Sequence, residues 1–311
     1  MRVGLDVGST TIKCVVLDDR NNLIYHTYER HYSHIVEKSA ELLRRVAERC
    51  GREAVFAISG SAGMGMAESV KAPFVQEVFA TRVAANRLAP GTDVIIELGG
   101  EDAKILFLTN GMEVRMNGSC AGGTGAFIDQ MATLLKMGAE EMDKAAQTAE
   151  KTYTIAARCG VFAKSDIQPL INQGAKSADI AKSIYQAVVN QTIAGLAQGR
   201  PIKGHVLYLG GPLTFSKCLR QSFDETLGVT GTCPENSLLF VALGAAFYAE
   251  ESWDLLKTAE LLEQRGMSET YRSQPPLFEN QAEYDAFKAR HAKATVPQAD
   301  FPTDYAKPVH I

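Results

Sequence analysis

The chain opens with three apolar runs that are separated by turn-forming residues. These runs span residues 2–7, 11–17 and 23–29. The connecting segments GST and DDRNN favour turns, so the pattern predicts an antiparallel meander of three strands. Apolar residues then recur at helical spacing over 35–50, a strand is predicted at 54–59, and a helix is predicted at 77–88 after the glycine-rich turn GSAGMG.

The same order of elements begins again at Thr92. The segment TDVIIELGG is typical of a strand that ends in a glycine turn, and two more strands flank the hairpin signal Asn110-Gly111. Helical segments are expected from Cys120 and from Ser177, and HVLYLGG predicts a further buried strand. The repetition indicates a duplicated plan of a β-meander followed by helices.

A chain of 311 residues is long enough for about two domains. We assign residues 1–91 to a first lobe and residues 92–255 to a second lobe. Residues 256–311 are polar and proline-bearing, which is typical of a tail or a linker. A C-terminal helix that packs back on the first lobe is compatible with this division.

Charge and hydropathy exclude two classes of function. The chain carries 32 basic and 36 acidic residues, and its net charge of −4 leaves no basic field that would bind nucleic acid. The longest uncharged apolar stretch, 238–249, has twelve residues, short of the roughly 18 to 20 that span a bilayer. The opening MRVGLDVGST lacks the pattern of a signal peptide, so we expect a cytoplasmic protein without a membrane segment.

Two glycine turns directly follow apolar strands and are candidate phosphate-binding loops. The first is DVGST, from Asp6 to Thr10, and the second is ELGG, from Glu97 to Gly100. Glycines let backbone N–H groups approach phosphate oxygens, the hydroxyls of Ser9 and Thr10 add donors, and a strand-end carboxylate can hold a hydrated Mg²⁺. One such loop is commonly only a hairpin, but the pair in a duplicated framework indicates a nucleotide in a cleft.

A third glycine turn, Gly210-Gly211-Pro212, follows the strand HVLYL. Such a turn suits close approach to a base or a ribose, and it is also an ordinary way to join a strand to a helix. The Walker pattern and the dinucleotide fingerprint are both absent from the sequence, which argues against those two nucleotide-binding folds.

These motifs resemble the superfamily of acetate and sugar kinases, chaperones and actin. DVGST is similar to its first phosphate motif, ELGG to its second and LGGP to its adenosine motif, and the similarity covers residues 2–250. The resemblance implies an α/β fold of two ribonuclease H-like lobes around a nucleotide cleft, with Asp6 and Glu97 holding Mg²⁺ through water. The residues expected to contact ATP or ADP are Gly8, Ser9, Thr10, Lys13, Gly99, Gly100, Gly210, Gly211 and Pro212.

Two of the six cysteines stand in glycine-rich surroundings just before predicted helix starts. Cys120 lies in NGSCAGGTGAF, and Cys159 lies in ARCGVFAKSD. A helix N-terminus favours a thiolate or an anionic cluster, so both are candidate metal ligands. The chemistry alone is equally consistent with small buried cysteines. The remaining cysteines are predicted to be core or incidental residues: Cys14, Cys50, Cys218 and Cys233.

The segments NGSCAGGTG, RCGVFAKSD and GGEDAK together resemble the BadF/BadG/BcrA/BcrD ATPase family, the ATP-dependent activators of 2-hydroxyacyl-CoA dehydratases and the ATPase subunits of benzoyl-CoA reductases. The resemblance implies a homodimer that binds one four-iron, four-sulfur (4Fe-4S) cluster through Cys120 and Cys159 of each subunit. Two thiolates per chain become the four that a cubane needs only across a two-fold axis. It further implies a low-potential electron donor such as ferredoxin or flavodoxin, and an iron-sulfur acyl-CoA dehydratase or reductase as the partner.

The sequence departs from this family at three positions. Glu97 stands where Asp is usual, Glu101 where Gln is usual, and Thr81 where a histidine is usual. We expect Glu97, Glu101 and Asp102 to be catalytic and leave open whether Glu101 or Asp102 orients the hydrolytic water. The ELGGEDAK variant and the tail also resemble multidomain activase-like proteins, so the chain is compatible with an N-terminal module of a longer protein.

Two alternative functions stay open at this point. A small-molecule, sugar-type kinase of the same superfamily would use Asp102 or Glu101 as the general base for a substrate hydroxyl, and its cysteines would be structural. A nucleotide-controlled scaffold, like actin or the chaperones, would hydrolyse ATP slowly and bind partners according to the nucleotide it holds.

Overall fold

The computed structural model describes residues 1–117, 122–156, 159–266, 277–292 and 294. The chain divides into two compact units, Met1–Ser268 and Glu269–Ile311. The larger unit contains two β-sheets and most of the helices. The described part of the smaller unit contains one helix, in which no residue is buried.

The strands form a five-stranded sheet and a four-stranded sheet. Their bounds are β1 (Arg2–Val7), β2 (Thr11–Leu17), β3 (Leu23–Arg30), β4 (Glu53–Ser59), β5 (Val94–Leu98), β6 (Ala103–Phe107), β7 (Glu113–Met116), β8 (Val206–Leu209) and β9 (Ser252–Asp254). The first sheet has the order β3-β2-β1-β4-β9, and the second sheet has the order β7-β6-β5-β8.

The helices fall mainly between the strands of each half. Their bounds are α1 (Ile35–Cys50), α2 (Gly63–Val70), α3 (Glu77–Leu88), α4 (Gly125–Leu134), α5 (Ala139–Ala146), α6 (Gly160–Asn172), α7 (Ser177–Thr192), a π-helical turn (Ile193–Ala197), α8 (Gly211–Phe215), α9 (Lys217–Leu227), α10 (Phe240–Tyr248), α11 (Leu255–Arg265) and α12 (Gln281–Ala292). No helix among the described residues combines the length and the apolar character needed to cross a membrane.

Both sheets repeat one plan. In the first, β1 is antiparallel to β2 and parallel to β4. In the second, β5 is antiparallel to β6 and parallel to β8. The predicted duplication of the meander is therefore confirmed, and the structure adds a strand parallel to the first strand of each meander.

The two sheets share part of their hydrophobic core. One cluster lies between the first sheet and helices α1, α2 and α11, and another lies within the second half. A third cluster joins Val15 of the first sheet to Leu106 of the second, together with Val78 of α3 and Leu243 of α10. Helices α3 and α10 therefore pack against both sheets and connect them.

Two glycines let α10 approach its neighbours at backbone distance. A Cβ atom on Gly4 of β1 would lie 1.9 Å from the carbonyl oxygen of Ala242. A Cβ atom on Gly244 would lie 1.9 Å from the carbonyl oxygen of Ala80 in α3. Since neither carbonyl can move without shifting a helix, a side chain at these positions would force the elements apart.

Replacing Gly244 with alanine is expected to lower the free energy of unfolding by about 1–3 kcal/mol, because the added methyl group overpacks the α3–α10 contact. Chemical denaturation followed by circular dichroism measures the change. Gly138→Ala is the matched control, because a Cβ atom there would meet nothing within 4 Å. Equal stability of the two variants would show that the helices do not touch as described.

The chain returns to the first sheet after α10. Strand β9 pairs with β4, although its residues lie in the stretch that the sequence analysis assigns to the second lobe. Helix α11 follows, and its residues Leu255, Ala259 and Leu262 join the core cluster beneath α1. The stretch predicted as a polar tail thus begins with a helix that packs on the first sheet.

Candidate active site

A cavity of about 1180 Å³ is lined by residues of both halves of the larger unit. Every nucleotide-binding and catalytic residue expected from the sequence lines it: Asp6, Gly8, Ser9, Thr10, Lys13, Glu97, Gly99, Gly100, Glu101, Asp102, Gly210, Gly211 and Pro212. The three glycine turns, which are far apart in the sequence, therefore meet around one space. The roles of the individual residues stay predictions.

The two candidate phosphate loops have matching geometry. The first reads DVGSTTIK and the second reads ELGGEDAK, so in each a strand-end carboxylate is followed seven residues later by a lysine. Across the first hairpin Asp6 faces Lys13, and across the second Glu97 faces Lys104. The duplication of the fold therefore extends to a duplicated pair of opposite charges on the two hairpins.

Asp6 and Lys13 form the ion pair of the first loop. Lys13 Nζ lies 3.0 Å from Asp6 Oδ2, and the Asp6 side chain is almost fully buried. Burial alone would lower the pKa of Lys13, but the adjacent Asp6 carboxylate outweighs it and holds this pKa above its ordinary value. Lys13 therefore places a fixed positive charge beside the first glycine turn.

The second loop contains a buried lysine that sequence reasoning missed. Lys104 is 1% exposed, and its Nζ lies 2.6 Å from Glu77 Oε1 and 2.6 Å from Asp102 Oδ2. Glu97 Oε1 is 3.8 Å away. Burial would lower the pKa of Lys104, but the surrounding carboxylates outweigh it and raise this pKa. The seven-residue spacing shared with Asp6 and Lys13 marks this lysine in the sequence, whereas its burial among carboxylates is visible only in the folded chain.

Glu97 and Glu77 are acidic residues in low-dielectric surroundings. Burial raises the pKa of Glu97 against the opposing charge of Lys104, and Thr81 Oγ1 donates a hydrogen bond to Glu97 Oε2 at 3.4 Å. Burial, together with the neighbouring carboxylates, raises the pKa of Glu77 to about 7, although Lys104 opposes this shift. Glu77 also lines the cavity and, like Lys104, is absent from the residues predicted by the sequence.

The two loops approach each other closely. A Cβ atom on Gly100 would lie 2.5 Å from Thr10 Oγ1, so a side chain at this position would displace Thr10 or separate the two loops. Asp102 closes its own turn, since its carbonyl oxygen accepts a 2.8 Å hydrogen bond from the Gly99 N–H. Glu101, one residue earlier, is exposed at the cavity.

The third glycine turn lies against the second loop. Gly210 has φ = 87°, and a Cβ atom there would lie 2.0 Å from the carbonyl oxygen of Leu98. Near it, Phe215 of α8 packs edge-on against Tyr28 of β3, with ring centroids 6.0 Å apart. Both rings line the cavity, so aromatic surface stands beside the turn expected to face adenosine.

The helix that follows the first cysteine motif begins on the second phosphate loop. The Gly125 N–H donates to the Gly99 carbonyl oxygen at 2.9 Å, and the Ala126 N–H donates to the Gly100 carbonyl oxygen at 2.8 Å. Cys120 lies outside the described residues. Five residues after Cys120, the chain is therefore hydrogen-bonded to the loop expected to hold phosphate.

Cys159 is the residue that directly precedes α6, and it is half-buried. The adjacent Gly160 packs on α4, because a Cβ atom there would lie 2.7 Å from Gln130 Oε1. Val161 and Phe162 in the first turn of α6 are 70% and 65% exposed. The described residues contain no group of three or more His, Cys, Asp or Glu side chains arranged to hold a metal ion.

The other cysteines differ in burial. Cys14 is fully buried in the core beside the first sheet, as predicted. Cys218 is also buried, while Cys50 and Cys233 are half-buried at the edges of core clusters. None of these four lines the cavity described above.

Residues 3–249 match the BadF/BadG/BcrA/BcrD ATPase family. The chain belongs to this family. Because the match covers most of the chain and includes all three glycine turns, the protein is an ATPase, and the fold predicted from its motifs, a duplicated ribonuclease H-like fold, is confirmed.

Similar proteins are known for this ATPase. It is 28% identical over 252 residues to the (R)-2-hydroxyglutaryl-CoA dehydratase activating ATPase of Acidaminococcus fermentans, covering 79% of this chain and 96% of the relative. It is also 28% identical over 254 residues to the 2-hydroxyisocaproyl-CoA dehydratase activator of Clostridioides difficile, covering 79% and 94%. The crystal structure of the A. fermentans dehydratase component A superposes with a TM-score of 0.73 at 27% identity, covering 83% of this ATPase and 98% of that chain.

Proposed function

We propose that this ATPase is a reductive activase, which uses ATP to deliver an electron from an interfacial 4Fe-4S cluster to a 2-hydroxyacyl-CoA dehydratase-like or benzoyl-CoA reductase-like partner. The names of its relatives support the activating role, since two of them are activators of such dehydratases. The active assembly is then a homodimer supplied with electrons by a ferredoxin or flavodoxin.

One observation carries the proposal. The N–H groups of Gly125 and Ala126 bind the carbonyl oxygens of the second phosphate loop, and Gly125 lies five residues after Cys120. A change in this loop when phosphate arrives or leaves acts directly on the start of α4. In this proposal the nucleotide state reaches the start of α4, five residues after Cys120, through these two backbone hydrogen bonds.

The second cysteine is joined to the same helix. Gly160, which follows Cys159, lies against α4, since a Cβ atom there would come within 2.7 Å of Gln130 Oε1 and 3.9 Å of the Phe127 ring. In this proposal the contact relates the start of α6 to the position of α4. Both cysteine motifs share α4 as their link to the nucleotide cavity.

The residues at the first two loops fit Mg²⁺ and a nucleoside phosphate. Asp6 and Glu97 are the strand-end carboxylates, and both are buried at the cavity. Mg²⁺ prefers oxygen ligands and keeps several of its waters, which suits carboxylates that reach it through water. Lys13 and the glycine turns would then neutralise and orient the phosphates, and Glu101 or Asp102 would orient the attacking water.

Cys159 fits the role of a cluster ligand in three respects. It is a half-buried thiol, it stands at a helix N-terminus where the dipole favours an anion, and exposed apolar residues follow it. Its predicted companion Cys120 lies outside the described residues. When bound, a 4Fe-4S cluster supplies a one-electron redox centre.

Anaerobic purification followed by iron and sulfide analysis tests this function. We expect about two iron atoms per chain, because one four-iron cluster would be shared by two chains. Cys159→Ser is expected to remove most of this iron and the visible absorption that accompanies it. The matched control Cys233→Ser, at a half-buried cysteine away from the cavity, is expected to keep both. Wild-type protein that stays iron-free after reconstitution, or Cys159→Ser protein that keeps its iron, would contradict the proposal.

A further inference from the structure

Lys104 is a buried cation that the nucleotide-binding scheme does not use. Its side chain is 2% exposed, and it contacts carboxylates on three sides. A buried charge of this kind is costly unless it is paired. The three carboxylates supply that pairing for Lys104. The surrounding carboxylates therefore fix the ammonium group of Lys104 in one place.

The comparison with Lys13 shows how the duplicated lysines differ. Among the described residues that line the cavity, Lys13 is present and Lys104 is absent. Lys13 pairs with one carboxylate, that of Asp6, and faces the space expected for phosphate. Lys104 lies behind its loop and is surrounded by carboxylates that themselves line the cavity. At equivalent positions of the two halves, Lys13 therefore contacts the cavity itself, whereas Lys104 contacts the carboxylates that line it.

The partners of Lys104 come from separate elements. Glu77 stands in the first turn of α3, and Asp102 stands in the turn between β5 and β6. Helix α3 packs against both sheets through the shared core. Lys104 thus links the second phosphate loop, through Asp102, to helix α3, through Glu77.

We propose that Lys104 is a positioning residue for ATP hydrolysis: it fixes the carboxylates of Asp102 and Glu97 at the second phosphate loop and couples their placement to α3 through Glu77. Without it, three carboxylates would repel one another around an empty place, and Asp102, which is the most exposed of them, would turn towards solvent. The proposal rests on the ATPase activity and is independent of any iron-sulfur cluster.

The test compares Lys104→Met with Lys13→Met, the equivalent substitution in the other half. Isothermal titration gives the Kd for the non-hydrolysable analogue ADPNP, and steady-state kinetics at low temperature gives kcat. For Lys104→Met we expect kcat to fall by about 30-fold or more while the Kd stays within about threefold of wild type, because Lys104 does not line the cavity and acts on hydrolysis through the carboxylates that it positions. For Lys13→Met we expect the Kd to rise, because that lysine faces the phosphates.

An unchanged Kd also shows that the variant is folded around its cleft. If Lys104→Met does not bind ADPNP, Lys104→Arg replaces it in the test, because arginine retains the charge that balances the buried carboxylates while moving it. A folded Lys104→Arg protein with kcat lowered by about tenfold would support positioning. Wild-type kcat in a Lys104→Met or Lys104→Arg protein that binds ADPNP, or a Kd for Lys104→Arg that rises as steeply as its kcat falls, would overturn the proposal.

Discussion

Replacing Asp6 with asparagine is expected to lower the kcat of ATP hydrolysis by about 10²- to 10³-fold. The substitution keeps the shape of the side chain but removes a buried negative charge at the end of β1. It takes away the carboxylate expected to hold Mg²⁺ and leaves Lys13, now 3.0 Å from a neutral amide, without its counter-charge. Phosphate release from saturating ATP, measured over a range of Mg²⁺ concentrations, gives the effect.

The control for Asp6 is an acidic residue away from the cavity. Asp19 is 93% exposed, where it pairs with the N-terminal amino group, so Asp19→Asn is expected to leave kcat unchanged. A folded Asp6→Asn protein whose kcat is close to wild type at saturating Mg²⁺ would show that the first strand-end carboxylate has no part in hydrolysis. The assignment of the magnesium site would then be wrong.

Replacing Gly100 with valine is expected to weaken ADPNP binding by about 100-fold, equivalent to roughly 2.7 kcal/mol. A Cβ atom at this position would lie 2.5 Å from Thr10 Oγ1, so the valine would push the two phosphate loops apart. It would also cover backbone N–H groups that only a glycine leaves open to a phosphate. Isothermal titration measures the Kd.

Gly138→Val serves as the comparison for Gly100→Val, because a side chain there points into open space. Its Kd is expected to match that of the wild type. Thermal unfolding of both variants separates a local change in the cleft from a loss of folding. Wild-type affinity in Gly100→Val would mean that the nucleotide phosphates bind away from the place where the loops meet.

The glycine turns were predictable because each has a local cause. A glycine after an apolar strand reports a turn or a close approach of the backbone, and the same signal occurs three times in this sequence. The duplicated plan added the expectation that the turns face one another. The cavity lined by Gly8, Gly99 and Gly210 agrees with that expectation, whereas the chemical role of each residue is a separate question that mutagenesis must answer.

Lys104 and Glu77 were missed because their significance is tertiary. Their side chains bond to each other across 27 positions of sequence, and nothing local places the first turn of α3 beside β6. A lysine in a strand is ordinarily a solvated residue. Only the packed structure shows that this one is enclosed by carboxylates.

Helix α2 is a case in which tertiary packing, and not the local sequence, decides the secondary structure. The stretch GSAGMG was predicted as a turn because glycine is a poor helix former. The structure begins a helix at Gly63, where a Cβ atom would lie 2.9 Å from Ile58 Cγ2. The glycine is required by packing against the first sheet, and this requirement outweighs its low helix propensity.

The contact between α3 and α10 has a consequence for how the two sheets can move. Because the backbones touch at Ala80 and Gly244, the two helices cannot come any closer at this crossing. Ala80 lies within one turn of Glu77, so the ion pair between Glu77 and Lys104 is close to this crossing. Any shift of α3 relative to the second sheet would change the distance between the Glu77 carboxylate and Lys104, and so would reach the second phosphate loop through one ion pair.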